Sequence, residues 1–298
     1  MKIKQNPLFH GAASELIIPF TREGEIDYRL ADEEIDYVLS AGATGLYING
    51  YQTEYLMLSP KEKGEVTRHI AERVNGRVPV IGNILVDSPY EGKELARMYR
   101  EIGLDAIMLF TPFTFPFAPE SMKLLFLSIV EAGGLPAYIC NAPNGNKLSP
   151  KRVIDLFDSS ELIIGCKDAT KSILELQQLI DLSGERELEI MSGSDAETYV
   201  TMMLGGLGIF SLLCTVFPSL ITGLAGACEK GDWDRGQDLQ ARVNRIREGI
   251  KIGPFMAAYK YVARKIGHPM GYMRAPFVEI NEADAEKIDA VMKAEGVY

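Results

Sequence analysis

Short, mostly unbroken apolar runs alternate along the chain with longer stretches whose apolar positions recur every three to four residues. That alternation predicts repeated strand–helix units. The strand candidates are residues 16–19, 45–50, 78–84, 106–111, 136–141, 162–167, 188–192 and 208–214. Between them, amphipathic helices are predicted over 27–41, 60–74, 91–102, 120–132, 172–182 and 196–204, each flanked by Gly, Pro, Ser or Asp in positions that suit caps. Strands that are apolar throughout, rather than alternating, need cover on both faces, as parallel strands do. Eight such units close into an α/β fold, the (β/α)8 TIM barrel. The chain then continues through helical stretches at 217–229, 233–249, 255–266 and 282–294. One closes the barrel and the rest form a C-terminal helical extension, so the expected units are a barrel over 1–230 and an extension over 231–298. A doubly wound open sheet is the alternative, but no G-x-G-x-x-G follows the first strand candidate.

Charge narrows the function. Lys and Arg number 31 against 41 Asp and Glu, a net charge of −10, and a nucleic-acid binder needs a concentrated basic face instead. Four cysteines, at 140, 166, 214 and 228, are too few and too far apart for a disulfide framework, and none forms a C-x-x-C pair. His10, His69 and His268 are scattered, so no metal site is expected, and no other cofactor. No apolar run approaches the roughly 18 residues a membrane span needs, and Met1–Asn6 opens no apolar leader segment. A reducing cytoplasm is the expected location, with no membrane partner.

The most informative residue is Lys167, at the end of an otherwise apolar strand, because lysine is rarely buried unless paired or functional. Strand alternation puts Ile163, Gly165 and Lys167 on one face, with Gly165 clearing space beneath the lysine stem. A partly desolvated amine there is a candidate Schiff-base nucleophile; the plainer alternative is a lysine that reaches solvent or pairs with Asp168. In a barrel the fifth strand adjoins the sixth, which brings Tyr138, Cys140 and Asn141 beside Lys167, with Tyr138 and Cys140 sharing a face. Gly50-Tyr51-Gln52-Thr53-Glu54 after the second strand, and Ser192-Gly193-Ser194-Asp195 after the seventh, are turns whose N–H groups could face a carboxylate or simply cap a helix.

From about Gly11 to the C-terminal helices the chain resembles the pyruvate-dependent class I aldolases typified by dihydrodipicolinate synthase and N-acetylneuraminate lyase. Gly165-Cys166-Lys167-Asp168-Ala169-Thr170 resembles the family segment that carries the Schiff-base lysine. Thr111-Pro112, Asn141-Ala142-Pro143, Ser192-Gly193-Ser194-Asp195 and Gly205-Gly206-Leu207-Gly208 match further landmarks in order. The resemblance implies an imine on Lys167, a keto acid such as pyruvate as partner, and a homo-oligomer, dimer or tetramer. It also implies substrate contacts from Gly50, Gln52, Thr53, Asn141, Gly193 and Phe210.

The departures redirect that expectation. Cys140 stands where the family has its proton-relaying tyrosine, both hydroxyl positions of the carboxylate-binding turn are altered at Tyr51 and Gln52, Phe113-Thr114 replaces paired tyrosines, and Gly145 replaces the dicarboxylate-binding arginine. Tyr51 or Tyr138 is the candidate substitute phenol. Dihydrodipicolinate synthesis is therefore not expected. The expected activity is an aldolase or lyase acting on a 2-keto-3-deoxy sugar acid or sialic-acid-like substrate, with a keto-deoxy sugar acid dehydratase and a non-catalytic keto-acid binder as alternatives. The substrate's distal end would be read by loops carrying Phe113, Phe115, Phe117, Asn144, Asn146, Thr215 and Phe217.

Overall fold

The computed structural model describes residues 6–143, 146–254 and 256–298; Asn144, Gly145 and Phe255 of the stretches named above lie outside them. Eight parallel strands close into a barrel in chain order: β1 (Gly11–Glu15), β2 (Gly45–Ile48), β3 (Val80–Ile84), β4 (Ala106–Phe110), β5 (Ala137–Asn141), β6 (Ile163–Asp168), β7 (Glu189–Ser192) and β8 (Gly208–Ser211). Around them run α1 (Tyr28–Ser40), α2 (Pro60–Val74), α3 (Pro89–Ile102), α4 (Pro119–Gly133), α5 (Pro150–Asp158), α6 (Ile173–Ser183) and α7 (Thr198–Met203). Then come α8 (Leu213–Val216), α9 (Pro218–Glu229), α10 (Trp233–Ile250), α11 (Ala257–Lys265) and α12 (Glu282–Ala294). The fold is the expected TIM barrel with additional C-terminal helices.

Local chemistry sets the element ends. At α2, Ser59 caps the first turn and accepts from the Glu62 N–H, while the Glu62 carboxylate accepts from the Ser59 N–H at 2.8 Å, a reciprocal capping box ahead of Pro60. Buried apolar residues on the outer faces of β2 to β7 pack under α1 to α6 as one cluster. A second cluster joins Ala12 and Ile209 of the barrel to Val243, Ile246, Val262 and Ile288 of α10, α11 and α12. The C-terminal helices thus share a continuous apolar core with the barrel wall.

Three strand expectations need correction. The first strand is residues 11–15, not 16–19. Gly, Ala and Glu are depleted in strands, so the apolar Leu16-Ile17-Ile18 that follows carries the pattern. Small residues are nonetheless what this strand requires, because Ala13 faces an interior already filled by Phe9, Tyr47, Tyr138 and Phe210. The eighth strand stops at Ser211 rather than at 214, since the Ser211 hydroxyl accepts the Cys214 N–H at 2.9 Å and the chain turns into α8. In β6, a register shift opposite Ala137 and Tyr138 inserts one residue. Ile163 therefore packs in the outer cluster while Lys167 faces inward, so the two do not share a face.

The barrel floor is aromatic. Phe9, Tyr138 and Phe210 meet with ring centroids 5.1 to 5.8 Å apart. Glu189 lies among them, accepting the N–H groups of Leu8 at 3.1 Å and Phe9 at 3.3 Å and the Tyr138 phenol. A Cβ at position 165 would overlap the Tyr138 ring. Gly165 thus makes room for that ring, not for the lysine stem.

Glu34 of α1 is buried against the C-terminal layer. Its Oε1 accepts from the Ile17 N–H at 2.7 Å and the Thr215 hydroxyl at 2.8 Å, and burial pushes its carboxyl up to about 8. The folded protein therefore binds a proton that the unfolded chain releases near its ordinary value of 4.5. Glu34's contribution to stability is present in full below that value and is lost as pH rises toward 8. Raising pH from 5 to 9 is expected to lower Tm, by on the order of 5 °C from this group. Glu34→Gln should flatten the slope in a thermal-melt series; an unchanged slope would remove Glu34 as its source.

Candidate active site

Above the aromatic floor, at the C-terminal ends of the strands, a cavity of about 760 Å³ opens, where barrel enzymes hold their reacting groups. Glu15 of β1, Tyr47 of β2, Cys140 of β5 and Lys167 of β6 form its lower wall, and the loop Gly193–Asp195 and Leu212 continue it. The C-terminal helices roof it with Arg247 and Lys251 from the end of α10, then Met256 and Tyr259.

Lys167 is almost wholly buried, with its side chain 8% exposed. Its Nζ lies 3.5 Å from Glu15 Oε2 and 4.3 Å above the Tyr47 ring centroid, so the ammonium is met by a carboxylate and an aromatic face. Asp168 turns the other way, its Oδ1 accepting the Thr170 N–H at 2.9 Å, so it is not the lysine's partner. Burial pushes the Glu15 carboxyl up, opposed by Lys167 and by a hydrogen bond from the Gln52 N–H. Cys140 sits in register beside Lys167; burial raises its thiol to about 11, which keeps it protonated at neutral pH. Asp195 is buried, and burial raises its carboxyl even though the Ser211 hydroxyl donates to it and Arg247 stands 4.0 Å away. Burial likewise holds the Tyr259 phenol well above the ordinary range.

Five of the expected site residues line this cavity: Lys167, Cys140, Tyr51, Gln52 and Gly193. Tyr51 is at the mouth, 42% exposed, with its ring against Phe113 at 5.5 Å between centroids. Five others are placed elsewhere. Tyr138 and Phe210 point inward but one layer deeper, in the floor, so neither reaches the lysine. Asn141 spends its side chain on the Leu148 N–H and C=O, at 2.8 and 2.9 Å, pinning the loop after β5. The Thr53 hydroxyl closes on the Gly50 C=O at 2.8 Å. A Cβ at Gly50 would overlap the Glu15 carboxylate, so this glycine admits Glu15 to the site. The Thr53 N–H also bonds Gly50 C=O, at 3.2 Å, and the Gln52 N–H serves Glu15. These two donors of the turn are committed within the protein rather than turned toward a ligand.

Among the distal-loop residues, Phe113 lines the cavity, whereas Phe115 is exposed and Phe117 packs on the outer cluster. Asn146 holds the segment 112–117 through Pro112 C=O, Phe115 C=O and the Phe117 N–H, at 2.6 to 2.8 Å. The Thr215 hydroxyl donates to Glu34. The sequence pattern misses Glu15, because it starts the first strand five residues too late, at Leu16. It also missed Arg247 and Tyr259, which lie 80 and 92 positions beyond Lys167 with no motif to link them.

Residues 8–295 match the model of the dihydrodipicolinate synthetase family. A 4-hydroxy-tetrahydrodipicolinate synthase of Thermoanaerobacter sp. is 25% identical over 293 residues, covering 98% of each chain. One from Bartonella tribocorum is 29% identical over 292 residues, covering 97% of this chain and 99% of its own. The crystal structure of YagE from E. coli K12, a prophage protein of the dihydrodipicolinic acid synthase family in complex with pyruvate, superposes with a TM-score of 0.94 at 24% identity, covering 98% of this chain and all of that one. Among the described residues no helix is long and apolar enough to cross a membrane. With the family model spanning nearly its whole length, the chain belongs to the dihydrodipicolinate synthetase family.

Proposed function

We propose that the protein is a class I lyase whose Lys167 condenses with a 2-keto acid such as pyruvate, forming or cleaving the C–C bond to an aldehyde derived from a 2-keto-3-deoxy sugar acid or a sialic-acid-like substrate. The observation that carries this is the lysine itself: a buried amine in the wall of a cavity large enough for a small sugar acid. Its imine would act as an electron sink, delocalising the carbanion left by bond cleavage as an enamine. Lys171, Arg247 and Lys251 line the same cavity and suit an acidic substrate on a protein that is otherwise strongly anionic. Asp195 and Gln52 offer polar partners for its hydroxyls.

The test is a screen of 2-keto-3-deoxy sugar acids and sialic acids for release of pyruvate. Turnover without pyruvate would favour the dehydratase, and imine trapping without turnover the non-catalytic binder. The names of the relatives favour a second reading, synthesis of 4-hydroxy-tetrahydrodipicolinate, and formation of that product by the purified protein would replace the first. The four cysteines are free and buried, as a reducing compartment allows, and we place the protein in the cytoplasm as a homo-oligomer. Light scattering at two or four times 32.9 kDa is the check.

Tyr51, at the exposed mouth, is assigned to shaping the entrance with Phe113. Tyr51→Phe is expected to lower kcat less than tenfold; a phenol relaying the reaction's protons would cost about 10²-fold or more.

A further inference from the structure

Imine formation requires protons to leave a lysine nitrogen and reach a departing oxygen, and the cavity narrows the groups able to carry them. The Cys140 thiol lies beside Lys167 on the neighbouring strand but is held protonated by burial. Tyr47 presents its ring face, not its hydroxyl, to the nitrogen. Asp195 is occupied by the Ser211 hydroxyl and faces Arg247. Glu15 alone among the described acidic side chains lies within hydrogen-bond range of Nζ, at 3.5 Å. Two other features fix it there. The Gln52 N–H donates to its carboxylate, and position 50 carries no side chain where a Cβ would collide with it. The carboxylate is 3% exposed as a residue yet lines the cavity, so it can reach a ligand bound to the lysine.

We propose that Glu15 is the acid–base residue of this site, shuttling the protons of imine formation and hydrolysis between Lys167 Nζ and the carbonyl oxygen of the keto acid. The proposal rests on the Lys167 imine put forward above. Glu15 first takes a proton from the ammonium, giving a neutral amine and a carboxylic acid. The amine attacks the keto carbon, and the carbonyl oxygen takes the Glu15 proton to become a hydroxyl. Glu15 then removes a proton from the attached nitrogen and returns it to that hydroxyl. The C–O bond breaks, water departs, and the nitrogen lone pair forms the C=N bond of the iminium, leaving Glu15 ionised as it began. Burial beside a cation suits both forms of the carboxyl, since desolvation favours the acid and Lys167 the carboxylate.

The sign of one substitution separates this role from that of a mere ion-pair partner. Glu15→Gln keeps the shape and can still accept the Gln52 N–H through its amide oxygen, but carries no exchangeable acid. It also removes the negative charge facing the ammonium, which by itself favours the neutral, nucleophilic amine. A purely electrostatic partner therefore predicts imine formation as fast as wild type or faster, and a proton carrier predicts slower. The experiment is quenched-flow borohydride trapping with pyruvate on the full-length protein, read by intact mass across pH 5 to 9, alongside exchange of pyruvate methyl protons in deuterated water. The expected result is a trapping rate at least about 100-fold lower in Glu15→Gln. Glu15→Asp, which restores the acid one methylene short, should recover about tenfold and bring back the pH dependence. Glu15→Gln trapping at the wild-type rate or faster would overturn the role while leaving the imine in place. No trapping by the wild type with pyruvate would overturn both. Should Glu15→Gln fail to fold, Glu15→Asp with an unaltered rate and pH profile would overturn the role by itself.

Discussion

Lys167→Met is expected to abolish the mass gain on borohydride reduction with pyruvate and to cut turnover by about 10⁴-fold or more, the scale on which losing a covalent nucleophile acts. Methionine approximates the volume of the buried stem, so the neighbouring wall keeps its packing. The Glu15 carboxyl, already pushed up by burial, can take a proton once its cation is gone. Lys167→Arg is the sharper variant, because it retains a positive charge opposite Glu15 but cannot condense with a ketone. If the charge alone mattered, Lys167→Arg would retain a measurable fraction of activity. Equal loss in both variants, with far-UV circular dichroism and Tm close to wild type, is the outcome the imine requires. Residual turnover above about 1% in either would reassign the nucleophile.

Gly50→Ala is also expected to be damaging, though less so, and the residue carries no functional group. The backbone at Gly50 is extended, at φ −66° and ψ 156°, which alanine adopts without strain. The cost is therefore local: the added methyl overlaps the Glu15 carboxylate. Overpacking of this kind costs roughly 1–3 kcal/mol, and the flexible partner moves first. Turnover should fall by about 10²-fold as Glu15 is driven from Lys167. A double-mutant cycle isolates the coupling. In a Glu15→Ala background the methyl has space, so adding Gly50→Ala should change stability by less than about 0.5 kcal/mol and cause no further loss of turnover. Additive effects in the double variant would show that the two positions act independently.

The barrel was legible because its strands are covered on both faces and so appear as apolar runs at regular intervals. What escaped was the strand whose job is to be small. β1 carries Ala13 under four aromatic rings and ends in a glutamate, a composition that reads as loop. The shift of that one element hid Glu15, the closest acid to the lysine. Periodicity pairs Tyr138 with Cys140 on one face, whereas Phe210 enters only through the family resemblance; both lie in the floor. Alternation fixes which side a residue points to, while its layer depends on strand tilt and register across the whole barrel. Arg247 and Tyr259 escaped for a different reason. They reach the cavity from helices beyond the barrel, and no local spacing records a contact made by tertiary packing. Lys167 was found because an amine at the end of an apolar strand departs from its surroundings.

The sealed base has a kinetic consequence. Among the described residues, Phe9, Tyr138 and Phe210, tied down through Glu189 and the chain entering β1, pack below the cavity, which makes it a cul-de-sac. Whatever is held on the lysine sits at its blind end and departs after anything bound nearer the entrance. Cleavage should then follow an obligatory order, with aldehyde lost first and keto acid last, which makes pyruvate a competitive inhibitor against the substrate and the aldehyde a mixed one.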